Sequence, residues 1–278
     1  MRSLLRLLLW SAGVLGGLGL LLYAAQRRLL YFPERQDREE AVRQARRLGL
    51  DPWLDEKGGF LGWRSAHPGG RADGRLLVLH GNAGMALHRT YLRDAFQAPG
   101  LPAALDVFLL EYPGYGPRPG SPSEPALVAA AVEVLDRLGH GESGPLLVAG
   151  ESLGSAVGAL ASARRPGAVA GLLLVTPLAS VPAVARRHYP FLPAFLLRDR
   201  LRTDQALPRY GGPVAFLVAG RDSIVFPDLG EALYRDYPGP KRLWVDGPAD
   251  HNTLDYDPSL PRWAEMLGFL LAPAVTDR

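Results

Sequence analysis

Residues Pro145-Leu146-Leu147-Val148-Ala149-Gly150-Glu151-Ser152-Leu153-Gly154-Ser155-Ala156-Val157-Gly158-Ala159-Leu160-Ala161 decide the fold. An apolar run meets Gly150-Glu151-Ser152-Leu153-Gly154, and a small-residue stretch of helical character follows. The pattern reads as a strand, a sharp turn and a helix, with a serine at the apex. In such a turn the residues two before and two after the serine must be small, and here both are Gly. The same residues would also suit an ordinary helix start capped by Ser152. What separates the two readings is whether the rest of the chain supplies an oxyanion hole, an acid and a base in the right order.

On both sides of this stretch, short apolar runs alternate with helical patterns. Phe60 to Trp63, Leu76 to Leu79, Val107 to Leu110, Leu172 to Val175, Val214 to Val218 and Leu243 to Val245 read as strands. Arg89 to Phe96, Glu124 to Leu138, Ser155 to Ala163, Asp228 to Tyr237 and Ser259 to Leu271 read as helices. The runs are continuously apolar and not alternating, as expected of strands covered on both faces. The alternation predicts an α/β fold with a mostly parallel, doubly wound sheet. Ligands bind such sheets beyond the C-terminal ends of the strands, so the residues just after each strand carry the functional signal.

After Leu79 comes His80-Gly81-Asn82-Ala83-Gly84, a glycine loop whose backbone N–H groups can face a cleft. The Asn82 N–H, paired with that of Leu153, is the expected holder of a developing oxyanion. His80 lies upstream of the serine and reads as a loop residue, not a base. After Val218 comes Ala219-Gly220-Arg221-Asp222-Ser223-Ile224-Val225, which puts Asp222 where an acid would orient an imidazole. After Val245, only His251 of the six histidines lies beyond that acid. It can take the proton of Ser152 and return it to a leaving group. Asp246 and Asp250 are alternative acids.

These stretches, together with Glu111 to Gly116, resemble the α/β-hydrolase superfamily, and within it the membrane-anchored α/β-hydrolase-domain serine hydrolases. The resemblance runs over residues 26 to 271. It implies the α/β-hydrolase fold, with Ser152 as nucleophile, Asp222 as acid and His251 as base, and hydrolysis of an ester, thioester or amide. Two departures stand out: Ala249-Asp250 replaces the usual glycine pair before the histidine, and Phe226 displaces the proline expected after the acid's Ile-Val.

The chain has 278 residues, of which 47 % are hydrophobic and 21 % charged, with a net charge of +3. Only two of the 31 basic residues are Lys, and together with the abundance of Ala, Gly, Leu and Pro this suggests a GC-rich, bacterial genome. The charge is too dispersed for a nucleic-acid partner. With no cysteine there is no disulfide framework, thiolate nucleophile or Cys-based metal site. No metal or cofactor is called for.

Residues 7–25 form an uncharged stretch with Trp10 and Tyr23 near its ends, flanked by Arg2, Arg6, Arg27 and Arg28. Its length suits one transmembrane anchor. A cleaved signal peptide is the competing reading, disfavoured by the length of the stretch and by Leu22-Tyr23 before Ala24-Ala25. The arginines after the span favour a cytoplasmic catalytic domain. Residues 26–52 read as a juxtamembrane linker with a short amphipathic helix from Arg38 to Leu50, and 53–278 as the hydrolase domain. Within the latter, residues 177–212 read as a small helical cap, apolar and Arg-rich, suited to an acyl chain with an anionic head or to a membrane surface. The expected substrate is a lipid ester or acyl-protein thioester. An amidase or peptidase on the same triad, and a non-catalytic binding module, are the alternatives.

Overall fold

The computed structural model describes residues 2–139 and 144–272. It opens with α1 (Arg2–Leu30), β1 (Phe32–Pro33), α2 (Arg38–Arg47), β2 (Asp51–Leu54), β3 (Phe60–Ser65), β4 (Gly74–Leu79) and β5 (Ala83–Gly84). Then come α3 (Thr90–Phe96), β6 (Leu105–Leu110), α4 (Glu124–Gly139), β7 (Leu146–Glu151), α5 (Leu153–Arg164) and β8 (Gly171–Val175). The chain continues through α6 (Val181–His188), α7 (Thr203–Ala206), β9 (Val214–Ala219), α8 (Pro227–Asp236), β10 (Lys241–Asp246) and α9 (Pro261–Leu271).

Eight strands make one sheet in the order β10-β9-β8-β7-β4-β6-β3-β2. The pairs from β10 through to β6 are parallel, and β3 and β2 add an antiparallel edge. Every residue of β4, β8 and β9 is buried. The reason is visible in β4: Leu77 and Leu79 pack with α4 and α5 on one face, Leu76 and Val78 with α3 and α9 on the other. Each fully buried leucine contributes about 1.5–3 kcal/mol relative to exposure, which is why these strands carry no polar alternation. The register sets Leu79 beside Leu110 and Gly150, and Ala219 beside Asp246. The loops leaving β4, β7, β9 and β10 therefore open at one edge of the sheet.

α2 ends at Arg47, short of the expected Leu50. Gly49 turns the chain with φ +72° and the Leu48 N–H closes on the last turn. Residues 177–212 hold α6, α7 and two 3-10 turns, Ala194–Leu196 and Leu207–Arg209. Residues 7–25 are helical within the 29-residue α1. Among the described residues, no helix is long and apolar enough to cross a membrane. The side chains at 7–9, 11, 12, 15 and 18, on which the anchor reading partly rests, lie outside the described residues, as does the expected domain end at 278.

Candidate active site

Ser152 occupies the turn between β7 and α5 at φ 53° and ψ −116°. A residue bearing a side chain in so sparsely populated a region costs about 1–3 kcal/mol. The surroundings enforce it. A Cβ on Gly150 would sit 2.3 Å from the Gly154 carbonyl oxygen, and one on Gly154 would sit 2.1 Å from that of Leu79. Both obstacles are backbone, so neither position admits a side chain. The Ser152 N–H donates to the Val175 carbonyl at 2.9 Å. The Ser155 hydroxyl donates to the Ser152 carbonyl at 2.6 Å and accepts the Leu178 N–H at 2.9 Å. The Ser152 hydroxyl makes no capping bond to the helix it opens.

That hydroxyl faces His251 instead, with Ser152 Oγ 3.1 Å from His251 Nε2. On the far side of the ring, His251 Nδ1 lies 2.7 Å from Asp222 Oδ2. A carboxylate can only accept, so Nδ1 carries the proton and Nε2 is left to accept from the serine. Asp222 Oδ1 accepts the Ile224 and Val225 N–H groups at 2.9 and 2.8 Å, which fixes the plane of the carboxylate. The Asp222 and His251 side chains are only 2 % and 8 % exposed, and exclusion of water strengthens their interaction.

The loops bearing acid and base are stitched together. Gly220 N–H donates to the Asp246 carbonyl and Arg221 N–H to that of Ala249, both at 2.8 Å. The Asp250 carboxylate accepts the N–H and hydroxyl of Ser223 and the His251 N–H, at 2.8, 3.0 and 2.7 Å. Donation from Ser223 N–H, then from His251 N–H and the Ser223 hydroxyl, holds the Asp250 carboxyl below the usual range. Asp246 accepts from Arg262 Nη1 at 3.0 Å. Both alternative acids are thus engaged elsewhere, and Asp222 is the carboxylate on the ring. Phe226 adopts φ 63°, which absorbs the extra residue before Pro227 opens α8.

On the opposite side of Ser152, a Cβ on Gly81 would lie 3.7 Å from Ser152 Cβ. His80 is buried, and its Nδ1 lies 2.8 Å from the Gly81 carbonyl oxygen, to which it donates. C=O and N–H point in opposite directions across a trans peptide, so the Asn82 N–H faces away from His80. Leu153 opens α5, where the first N–H groups have no intrahelical partner. The His80 ring packs on Tyr112 and Tyr115, and its Nε2 lies 3.5 Å from the buried Glu111.

A second cluster went unnoticed in the sequence. Glu151, just before the serine, pairs with Arg89 Nε at 2.9 Å and accepts the Tyr91 hydroxyl, and Tyr91 packs on Tyr256. Burial is the largest single influence on Arg89 and works against its charge, but Glu151 together with Tyr91, Tyr256 and Tyr112 more than offsets it, so the guanidinium is held above its ordinary value. Arg89 and Tyr91 read in the sequence only as the start of a helix. Among the described residues, no group of three or more His, Cys, Asp or Glu is arranged to hold a metal ion.

A strand-turn-helix serine at the C-terminal edge of this sheet defines a class, and the comparisons agree with it. Residues 76–277 match the family model described as alpha/beta hydrolase family. The chain belongs to that family. It is 34 % identical over 253 residues to an uncharacterised protein of Mycobacterium tuberculosis, covering 89 % of this chain and 86 % of the relative. It is 28 % identical to alpha/beta hydrolase domain-containing protein 17C of Xenopus laevis, over 81 % of this chain and 71 % of that one. It is 29 % identical to the lysophosphatidylserine lipase ABHD12 of Danio rerio, over 62 % of this chain and 48 % of the lipase. Among solved structures, Est1E of Butyrivibrio proteoclasticus with ferulic acid superposes with a TM-score of 0.60 at 17 % identity, covering 77 % of this chain and 95 % of Est1E. The Pyrococcus furiosus esterase Pf2001 gives 0.58 at 18 %, covering 87 % and 97 %. These structural likenesses establish the fold.

Proposed function

We propose that the protein is a membrane-anchored serine hydrolase that cleaves an ester or thioester of a lipid or acyl-protein type through an acyl-enzyme. The observation that carries the reading is the run of two hydrogen bonds from Ser152 Oγ through the His251 ring to Asp222. Ser152 Oγ attacks the substrate carbonyl while His251 Nε2 takes its proton. Asp222 keeps the ring in the required tautomer and stabilises the imidazolium. The oxyanion receives the N–H groups of Asn82 and Leu153. The imidazolium then protonates the leaving alcohol or thiol as the C–O or C–S bond breaks. Water, deprotonated by the same nitrogen, releases the acid and restores Ser152.

The substrate class rests on the exposed surface of the 177–212 segment. Phe191 is 96 % exposed and Phe195 75 %, on a segment that also carries Arg198 and Arg200. Arg198 packs over the ring of Tyr23 in α1. Apolar bulk beside basic side chains suits an acyl substrate or a lipid surface. We read residues 7–25 as the anchor in a bacterial membrane and 177–212 as a cap.

A panel of p-nitrophenyl esters, thioesters and anilides of increasing acyl length tests this. Ester and thioester turnover rising with chain length, and absent in Ser152→Ala, is the expected result. Faster cleavage of anilides would move the reading to an amidase.

A further inference from the structure

The C-terminal end of α1 is fastened in two places. On one side Gln26 Nε2 donates to the Leu196 carbonyl at 2.7 Å, and its Oε1 accepts the Arg198 N–H at 2.9 Å. Beside it Arg27 makes two bonds to the buried Asp199, at 2.9 and 3.1 Å. On the other side the Leu30 carbonyl accepts Asn82 Nδ2 at 3.0 Å. The next residues continue the attachment. Phe32 N–H donates to the Asn82 carbonyl and Glu34 N–H to that of Gly84, both at 2.9 Å, so that β1 runs parallel to β5. The Tyr115 hydroxyl reaches the same Asn82 carbonyl at 2.8 Å. Tyr31, 2 % exposed, pins the segment into the same core cluster that holds Tyr115 and Leu153.

Asn82 therefore commits its side chain and its carbonyl to the segment leaving α1 and to Tyr115, while its N–H remains for the site. The loop that carries it contains Gly81 and Gly84, which give no side-chain packing and leave the backbone free unless something else holds it. Oxyanion donors act only when held to about half an ångström, and a 1 Å misplacement costs about 10²-fold in rate. His80 holds the Gly81 carbonyl from one side, and residues 30–34, as a strap, hold Asn82 from the other.

We propose that residues 30–34 are a positioning element of the reaction, holding the oxyanion loop through Asn82 and so coupling the placement of α1 to turnover. The proposal rests on the Asn82 N–H being an oxyanion donor. Because the same end of α1 also clasps residues 196–199, one helix end sets both the 177–212 segment and the oxyanion loop. A shift of α1 would then change the rate without touching Ser152, His251 or Asp222.

The test compares an oxygen ester with its thionoester in the full-length protein. Sulfur is larger and a poorer acceptor, so a thionoester gains little from well-placed oxyanion donors. Asn82→Ala cuts the tie to Leu30 and keeps the backbone N–H. It should lower kcat on the oxygen ester about tenfold, leave KM within about twofold, and narrow the oxygen-to-thiono ratio of kcat/KM about tenfold. Phe32→Pro removes the N–H that the strap gives to the Asn82 carbonyl and should narrow the ratio a few-fold in the same direction. Loss of stability alone would not move that ratio. An unchanged ratio in both variants of an active enzyme overturns the proposal and leaves the hydrolase reading intact. A wild type that cleaves no ester overturns both. Should Asn82→Ala fail to fold, Phe32→Pro decides alone.

Discussion

The Asp250 carboxylate and Ser223 tie the loop of the base to the loop of the acid, through the Ser223 N–H at 2.8 Å and its hydroxyl at 3.0 Å. Asp250 also takes the N–H of His251 itself, at 2.7 Å. The residue that departs from the usual glycine before the histidine is thus a clasp holding the imidazole in register with Asp222. Asp250→Ala should lower kcat about 10- to 100-fold with little change in KM, since geometry and not binding is lost. Steady-state kinetics on a p-nitrophenyl ester measures this. A fall confined to KM would mean that Asp250 acts on the substrate instead.

The clasp has a pH signature. The Asp250 carboxyl is held below its ordinary value of 3.8 in the folded chain, chiefly by Ser223 N–H. A depressed carboxyl stabilises the fold above its unfolded value, and that contribution fades as pH falls through the lower folded value. Wild type should therefore melt above Asp250→Asn near neutrality, and the gap should narrow as pH is lowered below the ordinary carboxyl value of 3.8. Thermal melts across that range would show it. A gap that widens in acid contradicts the assignment.

Gly154 admits no side chain, because a Cβ would stand 2.1 Å from the Leu79 carbonyl oxygen. Gly154→Ala should cost about 1–3 kcal/mol by forcing the backbone apart, and should reduce turnover by displacing Leu153 and Ser152. Denaturant unfolding paired with a turnover assay checks both effects. Full activity at unchanged stability would show that the turn is looser than this packing implies.

Arg27 is the cation on Asp199, whose side chain is 2 % exposed while that of Arg27 is 36 % exposed. Removing one member of a buried pair strands the other. Because Arg27 is partly solvated, Arg27→Ala should destabilise by about 1–3 kcal/mol, less than a fully buried pair. Arg27→Ala with Asp199→Asn should recover part of the loss. Equal stability of Arg27→Ala and wild type would remove the pair from the account.

The fold was legible because continuous apolar runs announce strands, covered on both faces in β4, β8 and β9; β10 is the exception, an edge strand with no buried residue despite its apolar Leu243 to Val245. Each of the strands expected from those runs falls within β3, β4 or β6 to β10. β2 was not legible: only Trp53 of Asp51-Pro52-Trp53-Leu54 is buried, so this edge strand shows no pattern. Nor was the pairing of β1 with β5, since two-residue strands have no periodicity and join residues some fifty positions apart. Ser152, Asp222 and His251 were readable as candidates because each lies in the turn or loop that leaves a strand, β7, β9 and β10 in turn. The Asp250–Ser223 clasp and the Glu151–Arg89 pair were not readable, because each joins residues distant in sequence whose approach depends on strand order. Phe226 was visible as an anomaly, and its φ of 63° is the backbone change that absorbs it.

The central claim is that Ser152 is a nucleophile activated by His251. The most direct measurement is fluorophosphonate labelling of the full-length chain, read as intact mass and mapped by peptide digestion, on wild type, Ser152→Ala and His251→Ala. One phosphonyl adduct on the peptide bearing Ser152 in wild type, none in Ser152→Ala, and labelling slowed about 10³-fold or more in His251→Ala is the predicted result. A folded wild type that takes no label, or one labelled equally well without Ser152, would contradict it.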